Sequence, residues 1–387
     1  MARRTNGEGT IRKRGDNRWE GRYFDPVLDK QRSVYGKTQK EVREKLKSKL
    51  RDLDGGLNSI GEKTTVGEWL DIWIKSYNSN IKPLTIDSYT AIIKNHIKPI
   101  IGNIALQRLE THNIQTMYND LIDKETGKGL SVKTLRNVHG VVHKSMEQAF
   151  KLNYIKRNPV NACVIPQYHK KEIVPMDSDT VKTFIKAIKT DEFSDVYFVT
   201  LFTGLRQGEV LGLKWDCIDF KTGAITIKTQ LQKRKGKGSH YYLTSPKNKK
   251  SRIIFPAQTV LDVLSQVKKR QERLKKLSGE NWNTDPTWEN LVFTNENGRY
   301  LIPYTVYNHY KKIVKRMKEQ HLRFHDLRHS FAVVSLENGD DIKVIQETLG
   351  HHSAAFTLDT YSHVTKLMQK RSADKMQSYI ESFASSI

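Results

Sequence analysis

The spacing of apolar and polar residues changes three times along the chain. Over residues 9–14, 18–24 and 31–36, basic residues alternate with β-forming ones, and Asp, Asn, Gly and Pro separate the runs. This predicts three short strands. A helix is predicted next, with Thr38 as N-cap, Glu41 three residues on, and Val42, Leu46, Leu50 and Leu53 along one face. From Thr65 to about Pro166 the period is helical. Val66, Trp69, Leu70, Trp73 and Ile74 form one stripe, and Tyr89, Ile92, Ile93, His96 and Ile97 form a second that Pro99 should stop. Residues 104–122 supply a third, and residues 131–152 a fourth, capped by Ser131. After Met176 the two periods mix. Asp177 or Ser178 caps a helix to Ile188, an apolar helix runs from Phe193 to Thr203-Gly204, and another starts near Leu205. Residues 224–229 and 252–256 read as strands joined by a long basic loop. Helices over 262–277 and 304–317 flank a short strand and turn at 291–298.

This pattern predicts a multidomain α+β protein. A three-stranded sheet plus helix occupies 1–58, an all-α domain 64–168, and a mixed, mainly helical domain 174–387. Residues 367–383 end the last domain as an amphipathic tail helix. A chain of 387 residues exceeds one ordinary core, which agrees with such a division. There is no internal repeat.

Charge narrows the partner. Lys and Arg number 66 against 42 Asp and Glu, a formal net charge of +24. That surplus points to a polyanion. No apolar run approaches the ~20 residues that span a bilayer, and the first residues lack the apolar core of a secretory signal. Double-stranded DNA, met in the cytoplasm at the nucleoid and with no membrane involved, is the expected partner. Candidate contacts are Arg12, Arg14, Arg18, Arg22 or Arg32 on the sheet, according to register, and Lys94, Lys98, Lys133, Arg136 and Lys144 on the helices. A solubilising basic face is the alternative reading of the sheet, and ordinary solvated helix faces that of the helices. Cys163 and Cys217 lie far apart and suggest reduced thiols, and His351-His352 lack the spacing of metal ligands. Neither metal nor cofactor is expected.

The chemistry concentrates between Leu322 and Tyr361. His325, Arg328, His351 and Tyr361 bring two imidazoles, a guanidinium and a phenol within about forty residues. Arg clamps phosphate through a planar fork of donors. His exchanges protons near neutral pH, and a Tyr hydroxyl becomes a nucleophile once its proton is taken. His325 and Arg328, three apart on a helical turn, should point the same way. Arg206 stands at a predicted helix start, where its charge opposes the dipole and a bound anion would explain it. Together these residue types ask for a phosphodiester.

Thr203-Gly204-Leu205-Arg206-Gln207-Gly208-Glu209, then His325-x-x-Arg328-His329, then Leu349-Gly350-His351 with Tyr361 ten residues on, resemble the tyrosine recombinases, or phage integrase family. Within them the chain is similar to integrases of temperate phages and conjugative transposons of Gram-positive bacteria. The resemblance covers essentially the whole chain. It implies an arm-binding domain, a core-binding domain and a catalytic domain. Arg206 and Arg328 would clamp one scissile phosphate while Tyr361 attacks phosphorus, leaving a 3′-phosphotyrosine and a free 5′-hydroxyl. Lys247, favoured over its neighbours Lys249 and Lys250, would protonate the leaving oxygen from a hairpin. His325 would accept the tyrosine proton or bond the phosphate, His351 would donate to a phosphate oxygen, and Glu209 would orient the site. Tyr304, Tyr307, Tyr310 and Tyr379 are rivals of Tyr361, the last expected to be packed on an amphipathic stripe. The resemblance also implies crossover sites and arm-type repeats as DNA partners, and a homotetramer joined by exchange of the tail. An excisionase and a host DNA-bending protein would accompany it, and strands would pass through a Holliday junction. A non-catalytic DNA-binding protein on the same fold and a type IB topoisomerase-like enzyme are the alternatives.

Overall fold

The alternating N-terminal runs form a meander. Strands β1 (Thr10–Lys13), β2 (Trp19–Asp25) and β3 (Lys30–Gly36) pair antiparallel in sequence order, with Glu20 opposite Arg12 and Tyr35, and Arg22 opposite Thr10 and Ser33. Helix α1 (Gln39–Asp54) follows, and Thr38 Oγ1 accepts from the Glu41 backbone N–H at 3.2 Å, as the cap predicted. Val42 and Leu46 are buried against the sheet over Gly21, where a Cβ would come within 2.9 Å of Val42. The register decides which arginines share a face. Arg12 and Arg22 lie together on the uncovered side, whereas Arg32, opposite Tyr23, has the parity of Gly21 and faces Asp25 at 3.6 Å. Arg32 therefore does not join the outer face.

The chain is described by a computed structural model over residues 9–25, 29–54, 63–123, 129–168, 174–234, 240–246, 251–350 and 373–383. It is a multidomain α+β protein, and it divides into two units, one ending at Lys170 and the other starting at Lys171.

In the first unit, α2 (Val66–Ser76) begins with a reciprocal cap: Thr65 accepts from the Glu68 N–H, and Glu68 accepts from the Thr65 N–H. Trp69 is fully buried and its Nε1 donates to the Ser145 carbonyl at 3.0 Å. The second stripe does not stop at Pro99. Helix α3 (Pro83–Ile92) passes through a π turn (Ile93–Ile97) into α4 (Lys98–Ile101), where Pro99 sits in the first turn and its missing N–H leaves no gap. The third helix starts later than its apolar pattern suggests. Ala105 pairs with Thr65 in an isolated bridge, a 3₁₀ turn covers Leu106–Arg108, and α5 runs Thr111–Ile122. Helix α6 (Val132–Lys151) is capped by Ser131 as expected, and a turn at Pro159–Ala162 follows.

The second unit begins with α7 (Ser178–Ile188), capped by Asp177, then α8 (Ser194–Thr203) and the short α9 (Gln207–Leu211). Strands β4 (Ile218–Asp219), β5 (Ala224–Ile227) and β8 (Arg252–Ile254) form one antiparallel sheet in the order β4-β5-β8. Part of the expected basic loop is instead a hairpin, β6 (Gln230–Arg234) against β7 (His240–Thr244), since Leu231 and Leu243 face each other and give it an apolar side. Helices α10 (Gln258–Ser278), α11 (Pro303–Arg316), α12 (Asp326–Asn338) and α13 (Ile342–Leu349) follow. Tyr197, Tyr310 and Phe324 meet edge to face in the core at 5.6–6.0 Å, with Phe184 edge-on to Tyr310. Residues 373–383 form α14, exposed along its whole length. The expectation that Tyr379 is packed is overturned: Tyr379, Met376, Ile380 and Phe383 are all exposed, because an amphipathic stripe predicts an apolar side without saying what covers it. No helix among the described residues is long and apolar enough to cross a membrane.

Trp69→Ala is expected to destabilise the helical part of the first unit by about 3–5 kcal/mol. In denaturant unfolding of the full chain this is an earlier transition for that unit, with the second unit's midpoint unmoved.

Candidate active site

Two glycines shape the site. Gly204 ends α8 and Gly350 ends α13, both at φ +64°. At Gly204 a Cβ would lie 2.6 Å from Leu349 and 2.7 Å from Phe331, so only glycine brings these two helix ends together. Their last carbonyls then face one guanidinium: Arg328 donates through Nη1 to the Gly204 oxygen at 2.7 Å and through Nη2 to the Leu349 oxygen at 2.6 Å. Helix C-termini carry partial negative charge, which favours a cation there. Arg328 is only 1% exposed.

Arg206 follows two residues after Gly204 as the N-cap of α9. Its Nη1 donates to Glu209 Oε1 at 2.7 Å, and its backbone N–H to Glu209 Oε2 at 3.0 Å. A buried carboxylate thus offsets the charge that opposes the dipole. Glu209 also receives Arg252, whose Nη1 and Nη2 approach at 3.1 and 2.7 Å and whose Nε donates to the Thr348 carbonyl at 2.7 Å. Burial alone would raise the Glu209 carboxyl, but Arg252 and Arg206 overcome it and hold the group at about 2. Arg206 keeps its side chain 29% exposed, the open end of this chain of charges. Arg252 is a residue that sequence reading missed. A signal was present, since an Arg opening the apolar run Arg252-Ile253-Ile254 must find a partner if buried.

His325 is the N-cap of α12 and its side chain is exposed, whereas Arg328 three residues on is buried. His325 has helical backbone angles (φ −66°, ψ −19°), and Arg328 stands one turn on, the imidazole at the rim and the guanidinium in the interior. They are neighbours electrostatically. Lost hydration on its packed side, then the charges of Arg328 and Arg206, hold the His325 imidazole below its ordinary value. Its ring meets the buried His329 edge to face at 5.0 Å. Burial, then His325, brings His329 down to about 4. Asp326 pairs with Arg323 at 2.8 Å.

Lys247, His351 and Tyr361 lie outside the described residues, as do Lys249 and Lys250. Of the rival tyrosines, Tyr310 is enclosed, with no hydrogen-bond partner for its hydroxyl among the described residues, and Tyr304 is exposed. Away from this centre, Arg18 and Arg14 reach Asp16 at 2.7 and 3.8 Å in the β1–β2 turn. Lys94, Lys133, Arg136 and Lys144 are exposed, Lys144 donating to the Tyr89 hydroxyl at 2.9 Å, while Lys98 pairs with Asp71. Cys163 and Cys217 are free thiols. Among the described residues no three His, Cys, Asp or Glu gather as a metal site.

The second unit thus converges Arg206, Arg328 and a neutral His325, an arrangement suited to an anion on which charge builds during reaction. Comparison with known proteins agrees. Residues 174–368 match the phage integrase family, and residues 65–122 match the phage integrase N-terminal SAM-like domain. A XerC-like tyrosine recombinase of Caldanaerobacter subterraneus subsp. tengcongensis is 28% identical over 86% of this chain and 88% of its own length. The ICEBs1 integrase of Bacillus subtilis is 27% identical over 91% of this chain and 94% of that relative. In the solved structures, the Tn1549 transposon integrase in complex with a circular intermediate DNA superposes with a TM-score of 0.67 at 21% identity, covering 81% of this chain and 100% of that one. The match over half the chain, with the motif residues converging as described, makes this protein a member of the phage integrase family, the tyrosine recombinases.

Proposed function

We propose that the chain is a site-specific DNA recombinase that integrates and excises a mobile element, cutting and rejoining DNA through a 3′-phosphotyrosine. The observation that carries this is Arg328 joining the carbonyls of Gly204 and Leu349, the helix ends that precede Arg206 and His351 in sequence. Arg206 and Arg328 hold the non-bridging oxygens of the scissile phosphate, Arg206 where the site opens to admit DNA and Arg328 from beneath. Tyr361 attacks phosphorus, and the bond to the 5′ oxygen breaks. Lys247 gives that oxygen its proton, His325 takes the proton of Tyr361 or bonds the phosphate, and His351 donates to a phosphate oxygen. Rejoining is the same step reversed with a new 5′-hydroxyl. The bond energy stays in the ester, so no nucleotide is consumed.

The division of labour follows from the charges. Residues 64–168 hold the crossover half-site, with Lys133, Arg136 and Lys144 on the exposed side of α6 and Lys94 in the π turn. Gly140 supports a close approach there. It lies within α6, where glycine costs about 1 kcal/mol relative to Ala, and a Cβ would meet nothing within 4 Å. Residues 1–58 hold a second, arm-type site, so that one chain grips two DNA segments. The exposed apolar side of α14 joins protomers by seating on a neighbouring copy. Its receiving groove, about 320 Å³, is lined by Leu201, Phe202, Phe255, Val334 and Val344. Phe255 and Val344 are well exposed in that groove.

The decisive experiment incubates a nicked duplex carrying the crossover with the protein and EDTA, then looks for a covalent adduct on a denaturing gel. Wild type should give one and Tyr361→Phe none; an adduct that survives the substitution moves the nucleophile elsewhere. Arg252→Ala leaves Arg206 on Glu209 alone and should slow cleavage by about 10²-fold with the affinity for the crossover unchanged. Equal losses in both, with Arg252→Lys no better, would show a merely structural role. Truncation after Arg371 should abolish assembly of paired DNA complexes while single-site cleavage continues. Normal assembly without the tail would refute the docking of α14.

A further inference from the structure

On the uncovered face of the β1–β3 sheet an acidic side chain sits beneath the basic ones. Glu20 is 2% exposed and accepts four hydrogen bonds: from Arg12 Nε at 2.7 Å, Arg22 Nε at 3.2 Å, Ser33 Oγ at 2.8 Å and the Tyr35 hydroxyl at 3.4 Å. The ladders place all five side chains on the same face, Arg12 and Tyr35 directly opposite Glu20 and Ser33 opposite Arg22. Such a carboxylate is out of place on a surface meant only to attract phosphates. It is ionised, since its hydrogen bonds from Arg12 and Ser33 hold it at about 2, and it cancels one of the two charges above it. A face selected for charge alone would do better without it. What Glu20 supplies is orientation.

The bonding atoms show which orientation. Both arginines bind Glu20 through Nε, and neither makes a bond through its Nη1–Nη2 edge among the described residues. Their side chains remain 55% and 39% exposed. Each guanidinium is thus pinned at its base with its outer pair of donors free. A pair of parallel donors is what O6 and N7 of guanine accept in the major groove, a groove wide enough for a β-ribbon. Arg14 and Arg18 differ, for neither binds Glu20: Arg18 pairs with Asp16 in the turn, and Arg14 lies between Asp16 and the ring of Tyr35, 5.6 Å from its centre. We infer that Arg12 and Arg22 read guanines in the major groove of the second DNA site, and that Glu20 is the positioning residue that aims both. The inference rests on the reading of residues 1–58 as a DNA-binding domain.

The test selects duplexes from a random pool with the full chain at fixed salt. A recovered element distinct from the crossover should carry guanine at two fixed positions. Replacing either by 7-deazaguanine should lower affinity about 5- to 100-fold. Arg12→Lys and Arg22→Lys should each relax one position. Glu20→Gln should relax both while the dependence of affinity on salt stays the same, because phosphate contacts are untouched. An element without guanine preference, or a Glu20→Gln variant that weakens all sequences equally, overturns the assignment. The two lysine variants keep Glu20 charged and paired, so they decide the matter even if Glu20→Gln unfolds the sheet. A pool with no second element at all overturns the DNA-binding reading of residues 1–58 itself, a different result from a second element lacking guanines.

Discussion

The fork of Arg328 is the contact on which the second unit's arrangement depends. It spans the carbonyl ends of α8 and α13 from the first turn of α12, so three helix termini are held by one side chain. A guanidinium enclosed to this degree needs such partners, because an unpaired charge taken out of water is costly. The helix ends supply two of them as carbonyl oxygens at the negative ends of peptide dipoles. Arg206, two residues beyond Gly204, inherits its place from the same junction.

Carboxylates do related work at three places among the described residues of this basic chain. Glu209 carries Arg206 and Arg252, Glu20 carries Arg12 and Arg22, and Asp326 carries Arg323. In each case the acid is buried and at least one guanidinium reaches solvent. Arginine is a long side chain that loses considerable rotamer freedom when it binds. An acid fixed in the fold removes part of that freedom beforehand, which makes the cation a directed donor instead of a diffuse charge. Excess positive charge brings DNA near, and these acids set where the donors point.

Much of the fold was legible because caps and apolar stripes are local. Thr38, Thr65, Ser131 and Asp177 all cap the helices they announce. The failures occur where a local signal meets a longer-range constraint. Pro99 is compatible with a new first turn after the π segment, and Ala105 is drawn into a bridge with Thr65 ahead of a 3₁₀ turn despite the helical spacing there. The motif residues Arg206, Glu209, His325 and Arg328 could be named from the chain, since chemistry fixes their types. Their support could not. Arg252 lies 43 residues from Glu209 in sequence and 96 from Thr348, and the outer face shared by Arg12 and Arg22 needed the strand register. Tyr379 shows the converse, a stripe whose periodicity was clear and whose covering was not.

The tight junction at Gly204 sets unequal tolerances across the molecule. No methyl group fits at that residue, and its backbone conformation would strain any L side chain. Random change there removes the catalytic unit's geometry at once, while the outer sheet face can exchange side chains with its β1–β3 backbone and α1 packing intact. With residues 1–58 read as the arm-site domain, a chain built this way can change its arm-type site through one surface and leave its catalytic unit alone. For anyone altering that site, the sheet is the part to diversify and the glycine junction the part to freeze.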